Sequence, residues 1–118
     1  MKIIIAGCGD VGGTIAEQLV QEGHAVTVIE RDNKVLQNVT SRIDAMGIQG
    51  NCTSIAIQDE AGVKNADLLI AVTNHDEVNM LTCLIARKIG KCQTIARVRS
   101  PQYFSEIGYI RDELGLSM

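Results

Sequence analysis

The sequence contains no Cys-x-x-Cys pair: its four cysteines stand apart at positions 8, 52, 83 and 92. That excludes the usual paired-thiol zinc site and dithiol redox site, and leaves reduced thiols in a cytosolic protein as the reading. Nor does any apolar run approach the ~20 residues that a membrane-spanning helix needs. The opening apolar residues stop at Gly7, well short of a signal-peptide core and cleavage site. No charge of one sign accumulates. A formal net charge of −3 gives nucleic acid or anionic lipid no electrostatic reason to bind. Internal repeats, proline-rich linkers and low-complexity tracts are also missing, so 118 residues at 46% hydrophobic and 21% charged read as one soluble domain.

What is present is alternation. "KIIIA" at 2–6 is a β-branched run bounded by glycine, as in a strand buried on both faces of a parallel sheet. From Val11, apolar residues recur at Ile15, Ala16, Leu19 and Val20 with a helical period that Gly23 ends. A strand over 25–30 follows, then a helix capped by Asp32 with Val35, Leu36, Val39 and Ile43 on one side. A short third strand is predicted within 45–50, and a weak helix within 54–63 starting near Thr53 or Ser54. The most apolar segment, 67–73, is the predicted central strand, followed by a helix over about 76–89 with Val78, Leu81, Ile85 and Ile89 in register. A fifth strand over 94–98 leads to Pro101, at the first turn of a last helix carrying Tyr103, Phe104, Ile107 and Ile110.

Five such alternations with short connections predict an α/β fold: a Rossmann-like, doubly wound parallel sheet in three αβα layers, of order 3-2-1-4-5. The ending "LGLSM" reads as the start of a sixth strand, so the chain is expected to be a fragment of a longer protein.

In "GCGDVGG", Gly7 permits a tight turn out of the first strand, Gly9 lets backbone approach a pyrophosphate, and Gly12, extended by Gly13, lets helix pack closely on strand. Free N–H groups at the helix start would face the anion. Alone, the motif is equally a glycine-rich turn without ligand. Glu30 adds to it, eighteen residues after Gly12 at a strand end, where a carboxylate accepts from adenosine ribose hydroxyls and repels a 2′-phosphate. The alternative is a solvated strand end. Arg31 stacks on adenine, offsets Glu30 or is simply exposed; Asp10, repulsive toward a pyrophosphate, is expected to point outward.

Ligands of open parallel sheets collect at the carboxyl ends of the strands. With order 3-2-1-4-5, Thr73 and Asn74 stand opposite the glycine loop, Asn51 and Cys52 border the adenine side, and Arg97 and Arg99 share a face from which one could meet phosphate. Asp76 is expected to cap the fourth helix, with Asn79 one turn on. For each, a cap or a solvated loop end is the alternative.

The segments "MKIIIAGCGDVGGTIAEQL", "VTVIERD", "NADLLIAVTNHDEVNM" and "TIARVRSPQY" together resemble the amino-terminal lobe of the regulator-of-potassium-conductance (RCK, or KTN) family over almost the whole chain. The last two are the more specific, since generic dehydrogenases do not share them. The resemblance implies a cytoplasmic ligand-sensing regulator, not an enzyme. Such a regulator assembles as a homodimer within a ring, docks on a separate membrane potassium transporter subunit without entering the membrane, and binds NAD or NADH, with ATP/ADP as alternatives. Carried over by position, Gly7, Cys8, Gly9, Asp10 and Val11 would hold phosphates, Glu30 the ribose, Asn51 and Cys52 the adenine side, Thr73 and Asn74 the crevice, and Arg97 the phosphates. Asp10 departs from the neutral or basic residue common there.

Two other classes use the same fold. An NAD-dependent oxidoreductase would need an acid or base near the nicotinamide, for which His75 is the one serious candidate, His24 lying at the wrong edge. A pure dimerisation module would have no need of Glu30.

Overall fold

In a computed structural model of the protein, which describes residues 1–104, 106, 108 and 109, five strands form one parallel sheet in the order β3-β2-β1-β4-β5. These are β1 (Lys2–Ala6), β2 (Ala25–Glu30), β3 (Met46–Gln49), β4 (Leu68–Ala71) and β5 (Gln93–Ala96). Between them run the helices α1 (Asp10–Gln21), α2 (Asn33–Thr40), α3 (Ile55–Glu60) and α4 (Asp76–Gly90), with α5 (Pro101–Phe104) after β5. Every neighbouring pair is parallel, so each connection must cross over the sheet, and the helices cover both faces.

The period of two along β1 divides the core. Ile3 and Ile5 enter a cluster with Ala16, Leu36 and Val39 of α1 and α2, whereas Ile4 and Ala6 enter one with Leu69, Cys83 and Ala86 on the α4 side. A strand apolar on both faces can only sit inside the sheet, which is why β1 is central with β2 and β4 on either side.

Local signals explain most boundaries. Gly7 has φ +93°, the left-handed turn that takes the chain from β1 toward α1. The Asp32 carboxylate accepts from the Lys34 and Val35 N–H groups to start α2, and Ser54 caps α3 through the Ile57 N–H.

Several expectations shift. α2 ends at Thr40, so Ile43 lies beyond it; its N–H still donates to the Val39 carbonyl, which folds it back onto the core. β4 is Leu68–Ala71 rather than 67–73, because the Asp67 carboxylate takes the Lys2 N–H and the Thr73 N–H goes to a side chain. β5 begins at Gln93 and ends before Arg97. In α4 the apolar register holds in part: Val78 and Ile89 pack against the core, but Leu81 is 47% exposed, and the fully buried residues are Asn79, Thr82, Cys83 and Ala86. Small side chains let α4 lie close to its neighbours, so close that a Cβ at Gly90 would meet the Val63 carbonyl oxygen at 2.5 Å. Ile107, Ile110 and the predicted sixth strand lie outside the described residues. Among the described residues no helix is long and apolar enough to cross a membrane.

Candidate functional site

The carboxyl ends of β1, β2, β4 and β5 open onto a cleft of about 810 Å³. One wall is the glycine loop and the start of α1. Gly12 and Gly13 set its height: a Cβ on Gly12 would lie 1.9 Å from the Gly7 carbonyl oxygen, and one on Gly13 would lie 3.3 Å from that of Cys8. Helix and loop are therefore in backbone contact, which only glycine allows. Gly9 differs, since a Cβ there meets nothing within 4 Å. It is the N-cap of α1 and supplies no side-chain hydrogen bond to the helix, while Gly13 N–H already closes onto the Gly9 carbonyl at 2.7 Å. The first turn of a twelve-residue helix, uncapped by any side chain, thus lies at the cleft with the positive end of its dipole there.

Glu30 stands at the end of β2 in the same cleft, held from both sides. Its Oε1 accepts the Cys8 N–H and its Oε2 the Asp32 N–H, each at 3.0 Å. The carboxylate is thereby fixed in orientation, and each oxygen keeps a second lone pair for an outside donor.

The opposite wall comes from the β4 and β5 ends. Arg97 Nη2 donates to the Thr73 carbonyl at 2.7 Å and to Asn74 Oδ1 at 3.4 Å, and Arg99 Nη2 donates to the Asn74 carbonyl at 3.2 Å. Both arginines line the cleft. Between the walls the floor is apolar, from Ile29, Val35, Val72 and Val78.

Of the sequence-derived candidates, the structure brings Gly7, Gly9, Asp10, Val11, Glu30, Arg31, Cys52, Thr73, Asn74 and Arg97 to this cleft. Cys8, Gly12 and Asn51 do not line it. Cys8 is buried in the α1/α2 core, where burial, reinforced by Glu30, pushes its thiol up to about 12, and only its N–H serves the site. Gly12 faces the Gly7 carbonyl, and Asn51 turns onto Thr53, accepting from its N–H and hydroxyl. Asp10, expected to point outward, is exposed yet lies on the cleft wall. Asp76 does not cap α4, whose N-cap is His75; its carboxylate reaches across to accept the Arg99 and Ser100 N–H groups at 3.0 and 2.8 Å. Those two bonds hold Asp76 below the usual carboxylate range, that to Arg99 contributing most.

Sequence reasoning missed the apolar floor and the role of Asn79, whose spacing from Asp76 suggested nothing beyond helix position. Among the described residues no His, Cys, Asp or Glu group is arranged to hold a metal ion. All four cysteines are free and buried, and burial also raises the Cys52, Cys83 and Cys92 thiols.

Fold and cleft together define a Rossmann-like domain of the doubly wound class with an open, anion-compatible crevice at its topological switch point. The TrkA-N domain model matches residues 3–114, and the chain belongs to that family. It is 42% identical over 114 residues to the Trk system potassium uptake protein TrkA of Halomonas elongata, an alignment covering 96% of this chain and 25% of that protein. The chain thus spans about a quarter of that relative's length. Among solved structures, the TrkA-N domain of the inner membrane protein ybaL from Escherichia coli superposes with TM-score 0.84 at 24% identity, covering 98% of this chain and 82% of that one. The GsuK channel bound to NAD superposes with TM-score 0.79 at 20% identity, covering 92% and 20%. At these identities the two structures show a shared fold.

Proposed function

We propose that the cleft binds an adenine nucleotide with a free ribose 2′-hydroxyl, NAD or NADH foremost and ATP/ADP as alternatives, and that binding regulates a potassium transport system. One observation carries the reading. The uncapped start of α1, open at Gly9, and the doubly anchored Glu30 carboxylate share one cleft. The spacing suits a pyrophosphate on the helix N-terminus with the adjoining ribose on Glu30. Arg97 stands across the cleft as the counter-charge for the phosphates, Thr73 and Asn74 border the second ribose, and Cys52 with Arg31 flanks the adenine side.

Kinship with TrkA proteins supports a regulator rather than an enzyme, acting at the cytoplasmic face as a homodimer or ring-like homo-oligomer on a membrane potassium transporter subunit. The nucleotide would act by differential affinity for two arrangements of that assembly, and the shift in gating cannot exceed that difference. Titration calorimetry on the folded chain tests the binding step: heat that saturates with NADH and is lost in Glu30→Ala supports it. Substrate oxidation that is abolished in His75→Ala would replace it with the oxidoreductase reading.

A further inference from the structure

Asn79 is fully buried in the first turn of α4 and does not line the cleft, yet all of its hydrogen-bonding groups are spent on the cleft wall. Its Oδ1 accepts from the Thr73 N–H at 2.8 Å and the Thr73 hydroxyl at 2.7 Å. Its Nδ2 donates to the Thr73 carbonyl at 3.1 Å and the Arg97 carbonyl at 2.9 Å. The amide has one workable orientation, because a backbone N–H can only donate and the two carbonyls can only accept. A single side chain therefore ties the end of β4 to the end of β5.

The consequence falls on Arg97. Its guanidinium rests on the Thr73 carbonyl, the same oxygen that Asn79 holds, while its main chain is pinned by the other Asn79 donor. A long arginine side chain is otherwise free to sample many rotamers, and fixing it at the moment of binding costs affinity. With carbonyl and main chain already set, the cation stands ready at the cleft before any ligand arrives.

We infer that Asn79 is a positioning residue of this site: without touching ligand, it pre-organises Arg97 through Thr73 to meet the phosphates of the nucleotide. This rests on the nucleotide reading above. A purely structural Asn79 would instead support the fold alone.

A double-mutant cycle on the full chain separates the two. Asn79→Asp keeps the volume and the Oδ1 acceptor and removes both donations. Titrated with ADP, it is expected to bind about tenfold more weakly than the parent, equivalent to about 1.4 kcal/mol. Titrated with adenosine, which has no phosphate, it is expected to match the parent. In an Arg97→Ala background, Asn79→Asp should have no further effect on ADP. Equal losses for ADP and adenosine, or the same loss with and without Arg97, would overturn the inference. Should Asn79→Asp not fold, Asn79→Ser enters the same cycle with the same expectations. A folded parent chain that binds neither ADP nor NADH overturns the nucleotide reading and this inference together; a parent that binds both while the cycle shows no coupling overturns this inference alone.

Discussion

Gly9→Ala, at the N-cap of α1, and Gly12→Ala, in its first turn, lie three residues apart, and opposite outcomes are expected. At Gly12 the new Cβ would lie 1.9 Å from the Gly7 carbonyl oxygen and 2.8 Å from its carbon, with Val72 Cγ2 at 3.2 Å. Two of these atoms are backbone in a turn set by a left-handed φ, so they cannot rotate aside as a side-chain end would. α1 must lift from β1 by roughly 1 Å, loosening Ala16 and the residues packed beneath it, at a cost of about 3 kcal/mol, the upper end of the usual range for overpacking. Alanine's better helix propensity offsets about 1 kcal/mol of that. The net loss of about 2 kcal/mol lowers Tm by about 8 °C for a chain of this size. At Gly9 the added Cβ meets no protein atom within 4 Å and φ is −67°, so stability should change by less than about 1 kcal/mol. That same methyl stands where a pyrophosphate would approach, and NADH affinity should fall at least about tenfold. Thermal denaturation followed by far-ultraviolet circular dichroism gives the first quantity, and calorimetric titration the second. A Gly12→Ala variant melting with the parent, or a Gly9→Ala variant binding NADH as the parent does, would refute the reasoning.

Further perturbations act on charge and thiols. Glu30→Gln keeps the shape but leaves a neutral amide whose NH₂ faces either the Cys8 or the Asp32 N–H; NADH should bind more weakly while discrimination against NADPH narrows, both read by competition titration. Asp76, lowered chiefly by the Arg99 N–H, contributes stability that is full above the unfolded carboxylate value of about 3.9 and is lost as pH falls through its lower folded value. Denaturant titrations should therefore show Asp76→Ala less stable than the parent at pH 7 and the gap closing below about pH 4. Cys8 and Cys83, pushed up to about 12 with burial the leading cause, stay protonated in the native chain while unfolded thiols ionise near about pH 8.5, so stability should decline as pH rises above that value. At neutral pH a thiol reagent such as dithionitrobenzoate should find all four cysteines only after denaturation.

The strands themselves, the Gly7 turn and the Asp32 cap were legible because each depends on residues close in sequence: a β-branched run, a glycine, a capping side chain two or three positions from its partner; strand order followed from the regular alternation of strand and helix, and the start of α3 was narrowed only to Thr53 or Ser54. The same holds for Glu30, whose place at a strand end follows from counting. Asn79 and Asp76 were not legible in this way. Their partners, Arg97, Arg99 and Ser100, lie about twenty residues away on another strand end, and no local period records such a pairing. The register of α4 was right at Val78 and Ile89 and wrong at Leu81 for a related reason. Its fully buried stripe is made of Asn79, Thr82, Cys83 and Ala86, small or polar residues that let the helix lie close to the sheet, so a count of large apolar residues drew in the exposed Leu81 and passed over the stripe. Asn51 does not line the cleft; its Oδ1 closes its own turn by accepting from the Thr53 N–H and hydroxyl.

One cleft is proposed to read both the phosphates and the free ribose of an adenine nucleotide. Calorimetric titration of the folded chain with NADH, NADPH, NAD, ADP, ATP and AMP under one set of conditions tests it most directly. Saturable binding is expected of the ligands with a free 2′-hydroxyl, and clearly weaker binding of NADPH, whose 2′-phosphate would meet the fixed Glu30 carboxylate. Folded protein that binds none of the six, or that prefers NADPH to NADH, would contradict it.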